Sequence, residues 1–534
     1  MYLTQGLHRA LQRDPDKIAL RHLGDAAPRP AKPAVPQGES SRPAKPDLLG
    51  SERHWTFAQF ADRVARQAAA LQARGIATGD RVALLAPNDD ALVTLLTACW
   101  WLGAVACPLN TRWSLPELRY AVADCGARLL VADAQFAAQA SALADVTSTA
   151  DCLEIAAEAE QLAPLEDSRS GGDALAAILY TGGTTGRSKG VMLSHANFWS
   201  ASITRGAELN NSPDSVSLLV APLFHVAGLG RLVGQAIVGG CCVTLPQFRA
   251  GPVLAAIEQH RISDIVVVPT MLQALLDAPG FDAARLQSLT RIAFGAAPMP
   301  PDLLDRALAA WPQAEFFQAY GLTETAGAVC INLPANHRPA KGSDVRALGR
   351  LRSVGRPGLG AEIRIVDESG RELPRGEVGE IVVRGPMVTR GYWQLDEVTA
   401  SALRGGWFHT GDGGRMDADG YLFIADRLKD MIISGGENVY SAEVEAALRG
   451  HRAVADAAVI GVPDARWGEA VHAVVVLRPA ADADPAGIGD TLKAWCREQL
   501  AGYKCPRSVS LTDALPLSAA GKVLKTVLRA AHRP

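Results

Sequence analysis

The stretch Tyr180, Thr181, Gly182, Gly183, Thr184, Thr185, Gly186, Arg187, Ser188, Lys189, Gly190 gathers groups that bind anions. Its glycines let the backbone turn tightly and bring N–H groups to an anion. The hydroxyls of Thr181, Thr184, Thr185 and Ser188 and the cations Arg187 and Lys189 add further donors. An apolar run at 174–179 precedes it and another at 191–193 follows, so it reads as a loop between two strands that holds a phosphate chain. The common P-loop needs Gly, four residues, then Gly-Lys-Ser/Thr. Here Arg187 stands five positions after Gly182, and Ser188 precedes Lys189, so that pattern fails. A plain Gly/Thr linker is the alternative, but linkers seldom set this many donors between apolar strands.

The elements that must position such a loop need a large protein. The chain has 534 residues, 48% of them hydrophobic and 20% charged, enough for two or more domains. A net charge of −3 argues against a broad nucleic-acid surface or a polybasic membrane anchor. The nine cysteines include no Cys-x-x-Cys and no Cys/His cluster at metal spacing; they read as reduced core residues of a cytoplasmic protein. The N-terminus lacks the pattern of a signal peptide. Residues 91–109 are uncharged, long enough to raise a transmembrane query, yet Asp89, Asp90, Gly103 and Pro108 fit a buried helix turning into a strand better.

Along the chain, helical spacing marks 4–11 and 56–74, with a short strand at 18–21 and its hairpin partner at 54–56. The connection at 27–46 is Pro-rich and repeats Arg-Pro-Ala-Lys-Pro; it reads as an extended surface insertion rather than a docking motif. From residue 79, strands at 81–85, 103–109 and 128–132 alternate with helices at 91–101 and 116–124, which predicts a parallel or mixed sheet covered by helices. A second such unit has strands at 217–221, 241–245, 264–268 and 291–294 and helices at 252–260 and 301–311. From about 355 to 425 short strands with Gly/Pro turns suggest a β-rich subdomain, and an α+β unit with helices at 442–448 and 486–500 closes the chain. The expected fold class is therefore α/β: a large N-terminal domain at 1–428, made of two α/β sheet subdomains plus the β-rich one, and a small mobile α+β domain at 429–534.

Polar clusters fall at the expected strand ends: Pro222 to His225, Gly295 to Pro298, and Gln318 to Thr325. Ligands of α/β sheets sit at the carboxyl ends of strands, so these loops and the glycine-rich one are candidates for a single crevice. Farther on come His409-Thr410-Gly411-Asp412, Asp426-Arg427, Gly435-Gly436-Glu437-Asn438 and Pro516-Leu517-Ser518-Ala519-Ala520-Gly521-Lys522. With this ordered set, from about residue 4 to 529, the sequence resembles the adenylate-forming family of acyl-CoA synthetases, peptide-synthetase adenylation domains and luciferases, and looks most like bacterial fatty-acid or aryl-acid CoA ligases.

The resemblance implies ATP-dependent activation of a carboxylic acid to an acyl-adenylate, with pyrophosphate release, then transfer to coenzyme A. Thr181, Gly182, Gly183, Thr184, Thr185, Gly186 and Lys189 would hold the β- and γ-phosphates. Gly295, Ala296, Ala297, Pro298, Tyr320 and Gly321 would sandwich the adenine, and Asp412 and Arg427 would take the ribose. Thr323 would touch the α-phosphate; Glu324, with Thr185, would hold Mg²⁺, a hard cation suited to oxygen ligands. Lys522 would bond the acid and the α-phosphate in the first half-reaction. Lys429 would be the hinge about which the C-terminal domain turns, so that Gly435, Gly436 and Glu437 serve the coenzyme A half-reaction. His225 would gate the acid pocket from the thiol tunnel; on the residues alone, a buried core histidine is the alternative. A homodimer is compatible with this reading, and neither nucleic acid nor a membrane is an expected partner.

Gly182-Gly183 and Ser188 depart from forms common in the family, but both keep the loop's donors. The acid pocket, expected around Val226, Ala227, Gly228, Ala326 and Gly327, is small and apolar. It has no Asp for an amine and no arginine before Arg231. An apolar monocarboxylic acid is the expected substrate, a fatty acid first. An aryl acid of the benzoate or cinnamate type, or a ligase that loads a carrier protein, is the alternative. A non-catalytic binding protein on this fold would have lost its catalytic residues, which this chain retains.

Overall fold

The phosphate-loop sequence folds as the end of a hairpin. Strands Leu175–Thr181 and Lys189–Ser194 run antiparallel, with Tyr180 opposite Gly190 and Thr181 opposite Lys189. The computed structural model describes residues 1–25, 49–181, 188–209, 211–295, 299–339, 348–427, 430–434, 437–464, 467–478, 487–518 and 522–532. The Pro-rich insertion at 27–46 and the loop residues 182–187 lie outside them. The chain divides into two compact units: Met1–Leu351 with Pro357–Ala361 and Gly385–Leu403, and Arg352–Arg356 with Glu362–Arg384 and Arg404–Pro534.

The first unit holds two sheets. In one, Ser148–Asp151, Leu129–Ala132, Arg81–Leu85, Val105–Pro108 and Leu175–Thr181 lie side by side in parallel, and Lys189–Ser194 closes the edge antiparallel. The central strands are apolar on both faces because helices cover both; Val82, Leu84, Leu130 and Ile178 are all buried. In the other sheet, Val216–Leu219 lies between Asp264–Val267 and Cys241–Thr244. Arg291–Gly295 and Glu315–Leu322 extend it in parallel on one side, and Gly327–Asn332 then adds antiparallel. Ile18–Asp25 and Leu49–Thr56 form the opposite edge. That edge hairpin is longer than the short strands expected at 18–21 and 54–56. Residues 51–54 are exposed and polar, as an edge strand tolerates, so they carry no apolar alternation.

The uncharged run at 91–109 is a buried helix and a buried strand. Asp89 caps helix Asp90–Leu102 by accepting from the Leu92 N–H at 2.8 Å, the helix ends at Gly103, and the chain enters Val105–Pro108. Among the described residues no helix is long and apolar enough to cross a membrane.

Of the strand-end clusters, Pro222 to His225 keeps the loop expected there, after strand Val216–Leu219, whereas Gln318 to Thr325 departs from it. Helix Val226–Val238 starts directly after His225, which stands at its N-cap. Its glycines at 228, 230 and 234 are poor helix formers and blur the helical period. Tyr320 and Gly321 belong to strand Glu315–Leu322 itself. The loop is only the short turn Thr323–Thr325, because Gly327–Asn332 pairs back at once.

In the second unit, Glu362–Val366, Gly379–Arg384, Phe408–Met416 and Leu422–Arg427 form an antiparallel sheet. The chain end forms another, with Val454–Asp464 and Gly468–Leu477 as its long pair. Helices Ser441–Arg449 and Ile488–Gln499 pack on it through Val444, Leu448, Leu492 and Cys496, all buried. All nine cysteines are buried and free.

Candidate active site

The phosphate hairpin is held from outside by a segment that sequence reasoning missed, Thr389 to Trp393. The Trp393 N–H donates to the Gly190 carbonyl at 2.7 Å and the Met192 N–H to the Gly391 carbonyl at 3.0 Å. Val191 bridges to Tyr392, so the segment acts as one more strand along the hairpin's edge. Below, the Tyr180 hydroxyl donates to Asp124 at 2.6 Å, and the Trp393 indole N–H donates to the Asp124 carbonyl at 2.9 Å. Burial pushes the Tyr180 hydroxyl up, which keeps it a neutral donor. Thr181 and Lys189 are therefore presented from a braced base; Gly182, Gly183, Thr184, Thr185 and Gly186 lie outside the described residues.

Tyr392 also joins this base to Glu324. Its ring faces Lys189, whose Nζ lies 4.8 Å from the centroid, and its hydroxyl donates to Glu324 Oε1 at 2.9 Å. The Glu324 carbonyl accepts from the Thr389 N–H at 2.7 Å, and the Thr389 hydroxyl donates to the Met192 carbonyl at 2.6 Å. One short segment thus ties the phosphate-loop strand to the expected metal carboxylate. The other Glu324 oxygen has no protein partner among the described residues, which fits a hard, oxygen-seeking cation.

Thr323 and Glu324 sit in a turn shaped by Thr325, which is buried and whose hydroxyl accepts from the Leu322 N–H at 3.0 Å. Ala326 follows in the left-handed region, with φ +51°, and is buried. At Gly321 a Cβ would fall 1.8 Å from the Gly327 carbonyl oxygen, so only glycine allows the two strands to close here. Gly295 ends the neighbouring strand opposite Ala319; Ala296, Ala297 and Pro298 lie outside the described residues.

His225, half-buried, packs its ring against Phe224 at 4.8 Å between centroids. Val226 is half-buried and Ala227 exposed, while Gly228 is buried. A Cβ at Gly228 would fall 2.3 Å from the Pro222 carbonyl oxygen, so Gly228 serves the tight turn into the helix. Asn88, another residue the sequence did not reveal, positions this turn from the other sheet. Its amide donates to the carbonyls of Leu219 and Ala221 at 3.2 and 2.8 Å and accepts from the Leu223 N–H at 3.0 Å. Asn88→Ala leaves these backbone groups unpaired; a loss of about 2 kcal/mol or more is expected in denaturant unfolding, with a lower kcat/KM. A loss below about 0.5 kcal/mol would show that Asn88 does not hold the turn.

In the second unit Asp412 is buried on strand Phe408–Met416, and its N–H donates to the Thr410 hydroxyl at 3.0 Å. Arg427 stands opposite it across the strand pair. Lys429, Gly435 and Gly436 lie outside the described residues. Glu437 begins the strand paired to Ile432–Ser434, opposite Ser434. Lys522 is exposed, in a loop pinned by the Ser518 N–H to the Lys522 carbonyl at 2.7 Å.

The family model of the AMP-binding enzyme matches residues 25–393, and that of the AMP-binding enzyme C-terminal domain matches 443–522. The chain is 44% identical over 481 residues to a feruloyl-CoA synthase of an Amycolatopsis species, with 89% of this chain and 93% of that one covered. It is 36% identical over 483 residues to the long-chain-fatty-acid–CoA ligase FadD13 of Mycobacterium tuberculosis, with 89% and 92% covered. Its structure is similar to that of o-succinylbenzoate coenzyme A synthetase from Bacillus subtilis in complex with ATP and magnesium, with a TM-score of 0.80, 31% identity and 98% of each chain covered. The first match alone spans most of the chain and ends at Trp393, the last residue of the segment that braces the hairpin. The chain belongs to the AMP-binding enzymes, the adenylate-forming family of acid–thiol ligases.

Proposed function

We propose that this protein is an aryl-acid CoA ligase acting on acids of the cinnamate type. In the first half-reaction a carboxylate oxygen of the acid attacks the α-phosphorus of ATP, the bond to the bridging oxygen breaks, and pyrophosphate leaves with its electron pair. In the second, the sulfur of coenzyme A loses its proton and attacks the acyl carbon, the bond to the adenylate oxygen breaks, and AMP leaves. Catalysis is then mainly a matter of position and charge. Thr181 and Lys189, braced by Tyr392 and Tyr180, orient the leaving phosphates. Asp412 and Arg427 take the ribose, Tyr320 and Gly321 lie against the base, and Thr323 donates to the α-phosphate. Glu324 would hold Mg²⁺, which when bound would supply charge compensation to the phosphate chain. Lys522 serves the first half-reaction, and the Gly435 to Glu437 segment the second, about a hinge at Lys429.

The observation that carries the aryl reading is the similarity to the feruloyl-CoA synthase, 44% against 36% for the long-chain-fatty-acid ligase at equal coverage of this chain. A fatty acid is the second reading, favoured by the small apolar residues around Ala227 and Ala326. A panel running from hexanoate and decanoate to benzoate and cinnamate, assayed by pyrophosphate release with and without coenzyme A, tests both. The expected result is the highest kcat/KM with cinnamates and a CoA thioester as product. Activity confined to alkyl acids would overturn the aryl reading, and the absence of thioester would overturn the ligase assignment to coenzyme A.

A further inference from the structure

Helix His195–Glu208 carries a cation into the region proposed to bind the acid. The guanidinium of Arg205 lies among Gly230 and Gly234 of helix Val226–Val238 and Gly327 at the start of Gly327–Asn332. A Cβ at Gly230 would lie 3.3 Å from Nη1, one at Gly234 3.1 Å from Nη2, and one at Gly327 3.7 Å from Nη1. Three glycines on two elements thus meet the guanidinium with no side chain of their own.

The partners of Arg205 are few. Nη2 donates to the Gly230 carbonyl and to the Ser202 hydroxyl. Nη1 and Nε have no protein acceptor among the described residues, and no carboxylate there pairs with the charge. The neighbouring Arg231 is different: it is buried, donates to Ser217, and is neutralised by Asp264. Burial, with the Arg231 charge added, pushes the Arg205 guanidinium down to about 10, while the residue as a whole keeps some accessible surface. A desolvated guanidinium costs free energy unless its donors find acceptors.

We infer that Arg205 is a specificity-determining residue that selects acids carrying an oxygen acceptor at the end remote from the activated carboxylate. The inference rests on the aryl-acid reading and deepens it. Gly230 and Gly234 lie five and nine residues after His225, about 8 to 14 Å along the helix axis. An extended cinnamate places its para oxygen about 8 Å from its carboxyl carbon at ordinary bond lengths. A 4-oxygen on a cinnamate reaches that depth, and a plain alkyl chain would cover the cation without satisfying it. A neutral phenol or ether and a second carboxylate share the required chemistry.

The test compares cinnamate, 4-hydroxycinnamate and 4-carboxycinnamate on the wild type, Arg205→Lys and Arg205→Met. In the wild type, kcat/KM for the better oxygen-bearing acid should exceed that for cinnamate by about 10- to 100-fold, mainly through KM, as for a hydrogen bond to a charged group. Arg205→Met should bring that ratio toward one, and Arg205→Lys should restore part of it. Preference for the 4-carboxy acid identifies an anionic terminus and preference for the 4-hydroxy acid a neutral one; either supports the inference. Equal kcat/KM for all three acids on the wild type overturns it whether or not the variants fold, and so does a ratio that Arg205→Met leaves unchanged. Aryl activity without an oxygen preference ends this inference alone, whereas activity confined to alkyl acids ends the aryl reading with it.

Discussion

Lys522→Ala is expected to reduce acid-dependent pyrophosphate release by about 100- to 1,000-fold, the scale of losing one charged donor to a developing phosphorane. Thioester formation from a supplied acyl-adenylate should stay within a few-fold of the wild type. The asymmetry follows from where the charge develops. In the first step, negative charge gathers on the α-phosphate oxygens and the incoming carboxylate, and an ammonium that bonds both lowers the barrier. In the second step the adenylate leaves, and the family's other C-terminal segment, Gly435 to Glu437, is assigned that work. The exposed side chain and its short loop, closed by the Ser518–Lys522 backbone bond, make a purely structural loss small. Equal loss in both half-reactions would contradict the division of labour between Lys522 and the Gly435 to Glu437 segment.

Glu324→Gln should cost a similar factor through a different route. The amide is the same size, and its oxygen can still accept from the Tyr392 hydroxyl, so the turn Thr323–Thr325 should keep its shape. What disappears is the charge on the oxygen that has no protein partner among the described residues. Pyrophosphate release is expected to fall by about 100-fold or more, and the Mg²⁺ concentration for half-maximal rate to rise, with unfolding stability changed by less than about 1 kcal/mol. Tyr392→Phe gives the contrast. It keeps the ring over Lys189 and the carboxylate charge, so a loss of about 10-fold or less is expected. An unchanged Mg²⁺ requirement in Glu324→Gln would remove Glu324 from the metal site.

The parts of this enzyme that are local in the chain were legible without coordinates. Glycines, hydroxyls and a lysine between two apolar runs announce a phosphate loop between strands, and Leu175–Thr181 and Lys189–Ser194 form that hairpin. Apolar runs such as 81–85 and 128–132 read as buried parallel strands because both faces are covered, and no competing period obscures them. The order of the motifs determined the family, and with it the reaction class, since each motif would supply one requirement of adenylation.

Tertiary structure alone decided which distant residues brace the site and where the Arg205 guanidinium comes to lie. Thr389 to Trp393 has no phosphate-binding composition; it matters because it adds to the edge of a hairpin made about 200 residues earlier. Asn88 looks like any polar residue before a helix, and its role appears only where its amide meets three backbone groups beyond residue 218. Arg205 escaped the reading for the same reason. An arginine in the last turn of a helix is ordinarily a solvated surface charge, and Arg205 lies in the chain before His225, outside the run that marks the acid pocket. Packing of that helix against Gly230, Gly234 and Gly327 turned the side chain inward, because three positions without side chains leave room for a guanidinium that no local pattern predicts.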